Sequence, residues 1–453
     1  LEVSSKLNYC KYLLMNIYKN INNIFFIFAF SHLVIWTVVP TLTNNNLPLD
    51  TIEALAWGSN LDWGFSKHPP MSAFFIEVFH KIFGPQDWAY YLLSQTFILI
   101  AFYYVFKLSC EIFKDIRLSL ISVLLLESIY FYNFTTPEFN VNICQLPFWS
   151  LVVYYSWKIY VSKEIKLIDC FLVALFAAIG FLSKYLFMYL LISIDLLFIY
   201  LIFIKRTKKF DFKYLITLEA FIVLLVPHII WLFNNDFVTI FYGLERSGLE
   251  SSSFIEHIKY PIIFLFKQIV LLIPFLFLVF LLLKKVKFKI NPLDKKLLFL
   301  IFINILPILL IFMTSVITGS KIRTMWMVPF YLFFGVLFVY IFQSQINVKK
   351  INLFLYGFLF VFFLSPVLYS FISISQTNKR TDYPGKEIAT KVQIIWNKDF
   401  DKQIEFVTGD EWKAGNLSYH LQSRPKWEGA TNNKMLNDSS QFICIDDICL
   451  GRY

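Results

Sequence analysis

Residues 44–84 read NNNLPLDTIEALAWGSNLDWGFSKHPPMSAFFIEVFHKIFG. The stretch opens too polar to cross a membrane, and turn-forming residues break it at Pro48, Gly58, Gly64, Pro69-Pro70 and Gly84. From Met71 to Phe83 the apolar residues Phe74, Phe75, Val78, Phe79, Ile82 and Phe83 recur at helical spacing, with Glu77, His80 and Lys81 opposite them. That pattern predicts a helix lying in the membrane interface rather than spanning it. Upstream, Asp50 and Glu53 stand three apart at the start of a short helix, so both carboxylates share a face. Two readings are open there. The pair is either a capping box, with Asp50 as N-cap and Glu53 at the third helical position, or a pair of acids available for chemistry.

The chain around this loop is membranous. Of 453 residues 58% are hydrophobic and 16% charged, with 53 Phe, against about 25% charged in a soluble domain. Apolar runs near the ~20-residue bilayer length fall at about 22–41, 89–110, 117–135, 139–158, 167–183, 185–204, 214–233, 259–283, 297–318, 325–345 and 352–374. The expectation is therefore an all-α polytopic protein of about eleven spans over residues 1–375, followed by a small α/β domain over 376–453. The tail holds 11 basic and 11 acidic residues, whereas the +10 net charge belongs entirely to the segment before it. With a cytoplasmic N-terminus, the N-terminal segment and cytoplasmic loops carry 22 Lys+Arg and the opposite loops 7. This bias sets the orientation and puts the tail outside the cell membrane, in the periplasm of a Gram-negative cell. The first span lacks a small-x-small cleavage site and reads as an uncleaved anchor. Basic residues scattered through short loops exclude nucleic acid as a partner.

The loop also resembles a known family. "LDTIEALAWGSNLDWGFSKHPPMSAFFIEVFHKIFG" is similar to the first outer loop of the polyprenyl-phosphate-sugar glycosyltransferases. These are the GT-C-fold enzymes related to protein O-mannosyltransferase (glycosyltransferase family 39) and to ArnT. Further matches follow in order: Pro137-Glu138, Gly180 to Tyr185, Pro227-His228 with Trp231, Arg323 with Trp326 and Pro329, and in the tail "TDYPGKEIA" and "GDEWKAGN". The family's adjacent acidic pair is broken by Ile52, so the resemblance implies a catalytic carboxylate but leaves Asp50 and Glu53 both open as the base.

The resemblance implies transfer of a monosaccharide from a polyprenyl phosphate to a glycolipid such as lipid A, or to a protein, by inverting displacement. Such transfer needs a base for the acceptor hydroxyl and cations for the departing phosphate. Lys67, His68, Lys184, Lys321 and Arg323 are the candidate phosphate ligands, because charges on the outer side run against the positive-inside trend. The plain alternative is that each snorkels to ordinary lipid phosphate. Glu138, His228 and Trp57 are candidates for the acceptor side or cavity wall, with a helix-start carboxylate and a structural histidine as the plain readings. No closely spaced metal-ligand cluster is present, so no cofactor is expected, and any divalent metal would draw ligands from separate loops. Membrane lipids are the remaining partners, and the inner membrane of a bacterium is the expected location.

Glu127, Asp195, Glu219 and Lys267 lie within apolar runs and motivate an alternative, a lipid-linked sugar flippase or ion-coupled transporter. Neither an inverted repeat nor paired broken helices accompany them. In the tail, 385–397 reads as a helix with Ile388, Val392 and Ile395 on one face, and 403–408 and 441–445 read as strands. Cys444 and Cys449 are placed to form a disulfide in an oxidising compartment, or else stand as two free thiols on neighbouring strands.

Overall fold

A computed structural model describes residues 2–248, 253–287, 291, 293–429, 441–445 and 447–452. Long apolar helices are α1 (Glu2–Thr43), α4 (Asp87–Phe113), α8 (Met188–Ile199, within an apolar stretch Tyr185–Ile204), α9 (Lys213–Asn234), α11 (Glu256–Leu282), α12 (Lys295–Thr318) and α14 (Ile351–Ser375). Among the described residues these seven are long and apolar enough to cross a membrane. An eighth arises if the 3-10 helix Thr324–Tyr331 and the helix after it, bent by 53°, form one span. That following helix is α13 (Phe334–Phe342). Their outward faces carry side chains such as Phe360, Phe363, Val367 and Phe371 of α14, all exposed, as lipid contact requires.

The other three expected spans differ for physical reasons. The run at 117–135 is broken into α5 (Ile116–Leu124) and two short 3-10 turns. There Ser128 Oγ donates to the Leu125 carbonyl at 2.6 Å and the Asn133 amide donates to that of Glu127, so freed backbone groups find partners. α6 (Val141–Val161) is buried on almost every side, a helix in the centre of the bundle rather than one bathed in lipid. α7 (Leu167–Ser183) has 17 residues and ends at Lys184.

Of the four charges within apolar runs, Glu127 pairs with His32 at 3.1 Å, both fully buried. Asp195, Glu219 and Lys267 are exposed on the outside of the bundle. None of those three lines an internal path.

Between α1 and α4 lie α2 (Leu49–Gly58) and α3 (Met71–Phe83), as the loop pattern predicts. The polar side of α3 is not toward water, however. Glu77 and His80 are buried, while Val78 and Ile82 are exposed. The Arg424 guanidinium takes Glu77 at 2.7 Å, and Tyr419 packs on His80, because the C-terminal domain covers that face.

The C-terminal domain comprises α15 (Gly385–Asp399), β1 (Phe406–Thr408), α16 (Lys413–His420), β2 (Lys426–Trp427), β3 (Gln441–Ile445) and β4 (Ile448–Arg452). The sheet order is β2-β1-β4-β3, with β1 and β2 parallel and the other pairs antiparallel. α15 buries Ala389, Val392 and Trp396, and Ile395 is exposed, so its inner face is rotated from the one the aliphatic residues suggest. Trp396 fills the core and donates its ring N–H to the Lys402 carbonyl at 2.5 Å, a partner an aliphatic periodicity does not reveal. Cys444 stands opposite Cys449 in the β3–β4 pair, and their sulfurs are bonded. α16 rests on α2, which brings the domain directly over the loop with the paired acids.

Candidate active site

The helix carrying the acids starts two residues earlier than a capping box requires. Pro48 is the N-cap, it offers no side-chain hydrogen bond, and Asp50 falls in the first turn. Instead Glu138 reaches across, its Oε1 accepting the Asp50 backbone N–H at 3.1 Å. Glu53 accepts from the Lys67 ammonium at 2.9 Å. Neither carboxylate caps its helix. No described group donates a hydrogen bond to the carboxylate of Asp50, and this side chain lines a cavity of about 500 Å³.

That cavity brings together Asp50, Glu53, Lys67, His68, Lys184 and Arg323 from four separate stretches of chain, and adds Asn142, Tyr185, Arg246 and Trp326. Two glycines allow the approach. A Cβ on Gly180 would lie 2.3 Å from the ring of Phe187, so only glycine lets the chain fold back tightly around Lys184. A Cβ on Gly64 would lie 2.3 Å from the ring of Trp231, where the 61–65 segment presses on α9.

Burial dominates the electrostatics. It raises Asp50, against the opposing pull of Lys184, Lys67 and Arg246. It also raises Glu53, against the hydrogen bond from Lys67. Glu138 is pushed up to about 8, first by burial and then by the negative charge of Asp50, so this acid is largely protonated at neutral pH. Burial pulls Lys184 down to about 7, with Asp50 acting the other way. Its ammonium donates to Asn142 Oδ1 at 2.5 Å and lies 5.4 Å from the Trp326 ring centroid.

The sequence candidates separate into groups. His68 lines the cavity, but burial and the nearby Lys184, Lys67 and Arg246 hold it down at about 3. It is a neutral hydrogen-bonding group there, not a cation. Lys67 is already engaged by two carboxylates, Glu53 and Glu411. Lys184 and Arg323 line the cavity, whereas Lys321 does not and lines a neighbouring groove. His228 is held on both ring nitrogens, by the Trp63 carbonyl at 2.6 Å and the Tyr185 hydroxyl at 2.6 Å, and fastens α9 to the loop. Trp57 is buried below the cavity, stacked on Phe65, and donates to Glu411 at 3.3 Å. Glu138 backs Asp50 without lining the space.

Two residues of the site were not singled out by sequence. Arg246 ends α10 (Val238–Arg246) and lines the cavity. The same positive-inside argument that marks Lys184 also marks it, since it is one of the 7 basic residues on that side. Glu411 comes from the C-terminal domain, inside the matched "GDEWKAGN" segment. Among the described residues no group of three or more His, Cys, Asp and Glu is placed to hold a metal ion.

This arrangement, a helical bundle with a cavity of acids and cations and a small sheet domain, has the GT-C fold. Residues 67–231 match the family model of dolichyl-phosphate-mannose-protein mannosyltransferases. The chain is similar in fold to the crystal structure of ArnT from Cupriavidus metallidurans bound to undecaprenyl phosphate. The TM-score is 0.59 at 11% identity, over 92% of this chain and 86% of that one. The apo structure of the same protein gives a TM-score of 0.55 at 12% identity, over 91% and 86%. No curated protein sequence matches. The family model thus covers one stretch of the chain, and the likeness to ArnT over nearly its whole length is one of fold. The family match takes in Lys67, His68, Glu138 and Lys184; Asp50, Glu53, Arg246 and Arg323 lie outside it and are joined to them only by the fold.

Proposed function

We propose that this protein moves a monosaccharide from a polyprenyl phosphate to an acceptor hydroxyl, on the periplasmic side of the inner membrane of a bacterium. The observation that carries the reading is the Asp50 carboxylate, without a hydrogen-bond donor among the described residues, in one cavity with Lys184, Arg246 and Arg323. A base facing three cations across a confined space suits attack on a carbon whose leaving group is a phosphate. The ArnT structure binds undecaprenyl phosphate, which supports a polyprenyl carrier here.

In this reading Asp50 takes the proton of the acceptor hydroxyl as its oxygen bonds to the anomeric carbon. The bond from that carbon to the phosphate oxygen breaks, the configuration inverts, and polyprenyl phosphate leaves with the electron pair. Lys184, Arg246 and Arg323 stabilise its growing charge. Glu53 is engaged by Lys67, which supports Asp50 as the base in this reading. Raised proton affinity in a carboxylate lessens the driving-force mismatch with a hydroxyl donor. Donor headgroup and acceptor meet under the C-terminal domain, whose Glu411 closes one side through Lys67.

The test is incubation of purified protein with a polyprenyl-phosphate monosaccharide and envelope lipid or protein extract. Release of polyprenyl phosphate together with a sugar-bearing product supports the reading. Movement of the intact donor between leaflets without release would replace it with a flippase.

A further inference from the structure

The carboxylate of Glu411 joins the C-terminal domain to the catalytic cavity through Lys67, and it also accepts the Trp57 indole N–H at 3.3 Å. The segment that carries it, 409–412, is held from two sides. On one side lies β2, whose Trp427 N–H donates to Ser59 Oγ at 2.9 Å just past α2. The Gly409 N–H donates to the Gly429 carbonyl at 2.7 Å, and the Gly409 carbonyl accepts the Trp427 indole N–H at 3.1 Å. On the other side lies the end of the β3–β4 hairpin. Gly409 has φ +133°, and a Cβ there would lie 3.1 Å from the Asp447 carbonyl oxygen and 3.2 Å from Ile448. The Lys413 ammonium meets Asp447 at 3.1 Å on that same side.

The end of this hairpin is poorly closed by its own sequence. β3 and β4 pair from Gln441↔Arg452 to Ile445↔Ile448, which leaves Asp446 and Asp447 as the whole connection. Two-residue connections favour Asn-Gly, Asp-Gly or Gly-X, because their backbone needs positive φ. Two like charges stand there instead. The Lys413 and Asp447 side chains are 47% and 57% exposed, so solvent screening leaves their ion pair little holding power. The sheet order puts β3 at an edge, and β1, only three residues long, leans on β4 at Thr408↔Cys449. The disulfide closes the ladder beside the turn, at Cys444↔Cys449. Its Cys449 is thus the residue paired with Thr408, three positions before Glu411.

We propose that the Cys444–Cys449 bond is a positioning element of the catalytic cavity: it fixes the Glu411 segment against Lys67, so breaking it slackens that bridge and lowers transfer while the domain stays folded. Cys449 is buried and Cys444 exposed, so an attacking thiolate reaches the Cys444 sulfur. A dithiol supplies two electrons and two protons. The sulfur–sulfur bond becomes two thiols, and the dithiol becomes its own cyclic disulfide. The proposal rests on the glycosyl-transfer reading for its kinetic readout alone.

The test reduces the full chain in detergent with dithiothreitol, confirms loss of the bond by mass after alkylation, and measures transfer and amide hydrogen exchange. Reduction should lower kcat/KM about three- to fivefold, the scale of a partly exposed ion pair. Exchange should quicken across 407–413 and 61–70 and stay unchanged in α15, and reoxidation with oxidised glutathione should restore both readouts. Cys444→Ser with Cys449→Ser should match the reduced parent and ignore dithiothreitol, which separates the bond from the free thiols Cys110, Cys144 and Cys170. In Glu411→Gln the same reduction should change kcat/KM by less than about twofold, because the two changes act through one bridge and do not add. An equal fall in Glu411→Gln, or unchanged kinetics and exchange in the reduced parent, overturns the proposal. So does loss of protection throughout α15, which would make the bond a staple of the whole domain rather than of the site. Absence of transfer by the oxidised parent defeats the glycosyl-transfer reading instead, and exchange across 61–70 then still decides whether the bond positions Lys67.

Discussion

The ammonium of Lys67 lies 2.9 Å from Glu53 Oε1 and at the same time holds Glu411, a carboxylate 344 positions further along the chain. This three-residue bridge separates the roles of the two acids on α2. Glu53 spends its charge on Lys67, whereas the Asp50 side chain faces the cavity with no hydrogen bond from a described group.

The first prediction distinguishes those roles by turnover. Asp50→Asn removes the proposed base and should lower kcat by at least ~10²-fold, the usual scale for a general base. Glu53→Gln keeps a hydrogen-bond acceptor for Lys67 and should lower kcat by less than about tenfold. Since neither side chain caps α2, both proteins should melt close to the parent temperature. Equal losses in the two variants, or a larger loss in Glu53→Gln, would move the base to Glu53.

Glu138 gives a test of charge against hydrogen bonding. It is pushed up to about 8, so at pH 7 the residue already behaves mostly as a neutral acid whose Oε1 accepts the Asp50 N–H. Glu138→Gln should therefore stay within about threefold of the parent in kcat, since it keeps an acceptor of the same length. Glu138→Ala leaves that N–H without its partner, at a cost of about 1–3 kcal/mol, and lets the start of α2 drift. Rate measurements at pH 7 on both variants check this. A glutamine variant as impaired as the alanine one would show that the negative charge itself is needed.

How much of this was legible beforehand follows from what each residue type reveals locally. The α2–α3 loop was readable because its turn residues and the periodicity of Phe74, Phe75 and Val78 are local signals. Lys184 was readable because a cation between two apolar runs is conspicuous. The direction of α3 was not: Glu77 and His80 look solvent-facing until Arg424 and Tyr419, more than 300 residues later, cover them. Lys321 and Arg323 are two apart, and spacing does not reveal that only Arg323 reaches the catalytic cavity. The break after α5 was hidden for the same kind of reason, since the side chains of Ser128 and Asn133 satisfy a backbone that hydropathy reads as continuous helix.

Glu411 should matter to catalysis although it belongs to the C-terminal domain. Glu411→Gln leaves the bond to the Trp57 indole possible but removes half of the negative charge around Lys67. The bridge is partly exposed, 25% for Lys67 and 14% for Glu411 side chains, so its worth is about 1 kcal/mol or less. The expected outcome is a fall of several-fold in kcat/KM, with faster amide hydrogen exchange across 61–70. Unchanged exchange together with unchanged kinetics would make the bridge incidental.

Lys184 supplies the pH dependence. Burial holds it at about 7, below the ordinary 10.5 of a lysine, so it loses its charge in the empty cavity as pH rises through neutrality. For folding the sign is as follows. Between about 7 and 10.5 the unfolded chain binds a proton at this site that the folded chain lacks, so Lys184 contributes stability that increases with pH across that window. Donor binding has the opposite sign. A phosphate prefers the charged ammonium, so donor affinity falls as pH climbs above about 7, by up to about tenfold per unit until neutral Lys184 binding takes over. The donor KM measured from pH 6 to 9 should therefore rise while kcat changes less. Lys184→Arg keeps its charge across that range and should flatten the rise, and Lys184→Met should raise KM at pH 6 to the level the parent reaches at high pH. A donor KM independent of pH in the parent, with Lys184→Met unaffected, would remove Lys184 from the phosphate site and leave Arg246 and Arg323 as its ligands.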